Sequence, residues 1–96
     1  SGLLDNYFAT GYVDAGQEQY SVVLPNDAPK LTAQDIFMNL KLHYNAAFIG
    51  FAKCGDDIHI HVNPNFDEHI QAGDRVFYIA SKRIHKIDWH SLKLTQ

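Results

Sequence analysis

Residues 58–81 read IHIHVNPNFDEHIQAGDRVFYIAS, and the fold turns on how this stretch is parsed. Ile58, Ile60 and Val62 alternate with His59 and His61, which predicts a half-buried strand over 57–62. Pro64 cannot donate to a ladder and ends that strand. Residues 66–71 then form a loop or a single helical turn. Gly73-Asp74 makes a turn in which the glycine needs a positive φ. Val76 to Ala80 (VFYIA) is apolar throughout and predicts the last and most buried strand.

Upstream, AAFIGFA at 46–52 is apolar on both alternating faces, which predicts another buried strand, and KCGDD at 53–57 supplies a Gly-Asp hairpin turn. Before it, Thr32 and Asp35 form a near capping box that opens a helix running to Tyr44 and ending at Asn45. Ala33, Ile36, Phe37, Leu40 and Tyr44 share one face of that helix. Met38 and Leu42 form a second apolar strip, so the helix covers a sheet and touches something else. Tyr20 to Leu24 (YSVVL) predicts a strand, and PNDAPK at 25–30 a turn. Residues 3–10 predict a short lead-in helix with Leu3, Leu4, Tyr7 and Phe8 on one face, closed by Gly11. The tail from Ser81 predicts a helix in which Ile84, Ile87 and Leu94 pack. The expected class is α+β: a small β-α-β-β-β lobe with one mixed or antiparallel sheet, a covering helix and the lead-in helix. The expected division is 1–19 lead-in, 20–84 lobe and 85–96 tail.

Bulk properties exclude several classes. At 96 residues the chain is one domain, and such a domain buries only about 60–65% of its extended-chain surface, so a partner surface would help it. A net charge of −3 gives no global argument for nucleic acid. Lys82, Arg83, Lys86 and Lys93 make the end basic, which reads as a solvated tail. Cys54 is the lone cysteine, which rules out an intrachain disulfide and favours a reducing compartment. The opening Ser-Gly without Met suggests a processed or excised piece.

The motifs for chemistry are sparse. His59 and His61 stand two apart on the expected strand and would share a face, so they could share Zn²⁺ with His69, Asp67 or Glu68. The plainer reading is a wet strand face, because no HExxH or Cys-x-x-Cys pattern supports a metal. Cys54 sits in a turn with no helix N-terminus beside it to activate the thiol. Asp56-Asp57 and Asp67-Glu68 read as turn and surface charge. There is no phosphate-binding glycine loop and no DxDxDG calcium loop.

The pattern of strand, Asn-Pro, Ile, Ala-Gly-Asp and apolar strand resembles the C-terminal lobe of RCK domains, also called TrkA-C. It is carried by Ile60, Asn63, Pro64, Ile70, Ala72, Gly73, Asp74 and Val76 to Ala80. DIFMNLKLHYNAAFIGFA at 35–52 stands where that lobe has a helix and strand. The opening LLDNYFATGYVDAG is similar to the lead-in of such lobes in calcium-gated potassium channels. The likeness spans roughly 3–84. It implies a non-catalytic cytoplasmic domain of an inner- or plasma-membrane potassium channel or uptake system, coupling an effector to gating. It also implies a homodimer or RCK ring, with a Rossmann-like N-terminal lobe and a membrane pore in the complete protein. The implied effectors are calcium or another divalent cation, or a cyclic dinucleotide. For the dinucleotide the resemblance points to Asn63 and Pro64, with Ile58, Ile60 and His61 as neighbours. For a cation it points to Asp35, beside the histidine alternative of His59, His61 and His69.

Overall fold

The computed structural model describes residues 16–56 and 58–93. The chain is an α+β fold in which one helix covers an antiparallel sheet. The elements are β1 (Glu18–Val23), β2 (Leu31–Thr32), α1 (Ala33–Tyr44), β3 (Ala47–Ala52), β4 (His61–Val62), β5 (His69–Ile70) and β6 (Arg75–Ala80). A 3₁₀ turn at Trp89–Leu92 follows. The main sheet has the order β1-β6-β3-β4, and β2 and β5 form a separate two-stranded ladder. The expected lead-in helix and Leu94 lie outside the described residues.

Helix α1 starts and stops where its caps demand. The Asp35 N–H donates to Thr32 Oγ1 at 3.1 Å, and the Thr32 N–H donates to Asp35 Oδ2 at 2.9 Å. Both bonds of the capping box are therefore made. At the other end Asn45 adopts φ 52°, and its N–H donates to the Lys41 carbonyl. The face turned inward differs from expectation in one respect. Ala33, Ile36 and Leu40 are buried, but Phe37 is 48% exposed and Asn39 is buried instead. The cause is a second layer of cover. The Asn39 side chain donates to the Leu92 carbonyl at 2.8 Å and to the Asp35 carbonyl at 3.1 Å, which turns its side of the helix toward the C-terminal segment.

That segment is an extended strap, not the expected helix. The Ile84 N–H donates to Tyr78 Oη and the Asp88 N–H to Tyr44 Oη, so two tyrosine hydroxyls pin the backbone of this segment from outside. The strap carries Trp89 and Leu92 into the same core as Leu24, Ile36, Phe51, Val76 and Tyr78, with Ile84 and Ile87 packed at its border.

In β6, Val76, Tyr78 and Ala80 are buried while Arg75, Phe77 and Ile79 are half-buried, the alternation of a strand with one covered face. A bulge between Phe48 and Gly50 lets β3 stay paired with β6 on one side and β4 on the other. Gly50 is required there: a Cβ would run into the His61 carbonyl oxygen. Gly73 has φ +91°, the positive value expected for the turn before β6.

The strand expected over 57–62 shrinks to His61–Val62. Ile58 is 86% exposed, so Ile58, Ile60 and Val62 do not make a buried stripe. Asp56 explains the loss. Its carboxylate accepts from the His59 N–H and contacts the His59 ring at 3.0 Å. Such local side-chain bonds compete with ladder pairing.

Candidate functional site

The loop between β4 and β5 holds Asn63, Pro64 and Phe66 against the start of α1. The first N–H groups of the helix have no intrahelical acceptor. Here the Ala33 N–H donates to the Glu68 carbonyl at 2.8 Å and the Gln34 N–H to the Phe66 carbonyl at 3.2 Å. Glu68 braces the loop from within, because its Oε2 accepts from the Asn65 N–H at 3.0 Å. Asn63 sits at φ 50° and its N–H donates to the Ile49 carbonyl at 2.8 Å, which fixes the corner after β4.

These bonds frame a hollow of about 140 Å³ lined by Ala33, Phe37, Phe48, Asn63, Pro64 and Phe66. Phe37 and Phe66 face each other at 5.6 Å with a 45° tilt, and both are about half exposed (48% and 50%). A dry apolar cavity of roughly 150 Å³ takes a benzene-sized ring. The hollow is open to solvent and has room for one small group, with Asn63 among its lining residues. Met38 and Leu42, 46% and 75% exposed, form the separate apolar strip on α1 and do not line the hollow.

The structure brings Asn63 and Pro64 together at this hollow. Ile58, Ile60 and His61 do not line it. His61 stacks on Phe51 at 4.8 Å and lies 3.7 Å from Glu68 Oε1. Ala33, Phe37, Phe48 and Phe66 are the lining residues that motif reading did not single out for a site. The aromatic two positions after Pro64 was the available signal for Phe66.

The histidines lead separate lives. His59 pairs with Asp56, His61 stacks on Phe51, and His69 is exposed on β5 with its carbonyl taken by Lys53 Nζ at 3.0 Å. Asp35 is committed to the helix cap. Among the described residues no three His, Cys, Asp or Glu side chains come together as a metal site. The hydrogen bond from His59 holds the Asp56 carboxyl below its ordinary range. Cys54 is exposed in the hairpin turn, and its N–H donates to Asp74 Oδ1 at 2.9 Å. Among the described residues no helix is long and apolar enough to cross a membrane.

No family model matches the chain, and no curated protein matches it.

Proposed function

We propose that the chain is a non-catalytic regulatory lobe that binds a small effector and works as a pair, of the kind found at the cytoplasmic face of potassium channels and uptake systems. The observation that carries this reading is the hollow at Asn63-Pro64. The dipeptide central to the RCK-type pattern forms the wall of a concave apolar site, beside exposed aromatics that a purely structural loop would not need. In this reading a planar group of the effector enters between Phe37, Phe66 and Pro64. A cyclic dinucleotide has such groups. Its binding favours one arrangement of the pair over another, and the shift is transmitted to a Rossmann-like lobe and a pore elsewhere in the assembly.

Thermal denaturation with cyclic dinucleotides, calcium and zinc tests the reading. The expected outcome is a rise in midpoint with a cyclic dinucleotide that Phe66→Ala and Asn63→Ala both remove. A midpoint unmoved by any cyclic dinucleotide at millimolar concentration sinks the effector assignment. A rise with zinc abolished by His59→Ala would replace it with a metal sensor.

A further inference from the structure

Among the described residues the sheet ends on β1, and the direction of its backbone groups follows from the next residue in register. Leu24 donates its N–H to the Asp74 carbonyl at 2.9 Å and accepts from the Gly73 N–H at 2.9 Å, so it faces β6. Backbone groups alternate along an antiparallel strand. Glu18, Tyr20 and Val22 therefore point toward their β6 partners, and the N–H and C=O groups of Gln19, Ser21 and Val23 point away from the sheet. Among the described residues the cover over that edge is Arg83. Its Nη1 donates to the Ser21 carbonyl at 3.5 Å, and its guanidinium lies 5.0 Å from the centre of the Tyr20 ring. Beyond it, Val22 and Val23 open on a groove of about 600 Å³ beside the strap.

Edge strands usually resist pairing by an inward charge, a proline, a bulge or extreme shortness. β1 is six residues long, EQYSVV, with its lone charge at the first position and no proline. Its outward groups are spaced evenly about Ser21, so the edge is its own hydrogen-bonding complement. Apart from Glu18 at its start, the strand carries no charge that would select an acidic or a basic partner.

We propose that β1 pairs antiparallel with β1 of a second copy, about a two-fold axis at Ser21, with the Arg83 side chain displaced on pairing. Ser21 then faces Ser21 of the other copy and Gln19 faces Val23, each opposed pair exchanging both backbone bonds. Tyr20 falls beside Val22, and no like charges oppose each other. The contact is isologous and closes, joining two four-stranded sheets into one. It deepens the reading of the chain as a paired lobe and rests on that reading. Arg83 is a competitor for the same carbonyl, so it tunes how tightly the copies hold.

Sedimentation equilibrium of the full chain tests this, with circular dichroism to check folding. Val23→Lys should weaken the dimer about tenfold or more by placing a charge on the edge. Ser21→Pro should do the same, because its missing N–H takes no bond from the chain's own sheet; Ser21→Ala, which loses only the hydroxyl that accepts from Arg75 Nη1 at 3.0 Å, should leave the dimer intact. Arg83→Ala should tighten the dimer several-fold, since two competing contacts are lost per pair. Leu42→Glu, on the outer face of α1, should leave it unchanged. A dimer indifferent to Val23→Lys and Ser21→Pro but broken by Leu42→Glu would overturn the edge assignment and leave the paired reading standing. A wild-type chain monomeric at about 1 mM, roughly a −4 kcal/mol association limit, would remove both.

Discussion

Replacing Asp74 by alanine tests the join that holds the sheet's two turns together. The Asp74 side chain is 2% exposed. Its Oδ1 accepts from the Cys54 N–H at 2.9 Å, and its Oδ2 accepts from the Gln71 N–H at 3.0 Å and from Lys53 Nζ at 3.3 Å. One carboxylate thus ties the β3–β4 turn to the turn that launches β6. A hydrogen bond to a charged acceptor contributes about 1.5–3 kcal/mol. The Lys53 side chain is 44% exposed, so its ion pair adds little, about 0–1 kcal/mol. Cys54 and Gln71 are exposed, and water can take over part of what their amides lose. The balance is a loss of about 2–4 kcal/mol. A domain of this length has about 5–14 kcal/mol in total, so the midpoint should fall by about 10–25 °C. Asp74→Asn keeps one acceptor and should lose about half as much. The assay is urea denaturation at constant m-value, combined with hydrogen exchange at the Cys54 and Gln71 amides. A variant within about 0.5 kcal/mol of wild type, or unchanged protection at both amides, would refute the claim that the carboxylate makes this join.

Three further outcomes follow from the same structure. Trp89→Ala empties a site that is 6% exposed in the wild type and should cost about 3–5 kcal/mol in thermal or urea unfolding; a loss under about 1 kcal/mol would mean that the strap is not part of the core. Gly50→Ala should detach β4 from β3, seen as lost amide protection at Asn63, whose N–H bonds Ile49, with β6 unaffected. Asp56 has its carboxyl lowered by His59, so its contribution to stability is present above the ordinary value of 3.8 and is lost as pH falls through the lower folded value. An NMR titration of Asp56 should give a midpoint below 3.8, and His59→Ala should bring it back toward that value.

Much of this architecture is legible in local chemistry. The capping pair Thr32 and Asp35, the stop at Asn45 and the positive φ at Gly73 are each decided by a few neighbouring residues, and each falls where the sequence places it. The central strands are legible because their apolar runs are long. What misled was interaction at a distance or between equals. Phe37 fits the inner stripe by helical spacing, yet Asn39 takes the inward place because a carbonyl 53 residues away accepts from it. The tail has helical periodicity, but Tyr78 and Tyr44 hold its amides from outside, which no spacing rule encodes. The β2–β5 ladder is two residues long on each side, too short for alternation to register.

The site was half legible for a related reason. Asn63-Pro64 stands out because a proline after a strand must end it, and the structure places both residues on the hollow. The rest of the lining comes from α1 and β3, whose apolar residues any reading assigns first to the core, and from Phe66 in the β4–β5 loop. Position decides otherwise. Phe48 is 8% exposed, whereas Phe37 and Phe66, which line the same hollow, stay about half in water although both are large and apolar. A phenylalanine left about half in water forgoes roughly half of the 1.5–3 kcal/mol that full burial contributes. The two are neighbours in space from separate elements, their rings 5.6 Å apart, and both border the hollow. The test lies in the stability of the unliganded chain. Phe37→Ser and Phe66→Ser should each cost under about 1 kcal/mol, far from the 3–5 kcal/mol of a buried aromatic. A core-sized loss at either position would return it to the structural role and leave the hollow without a functional wall.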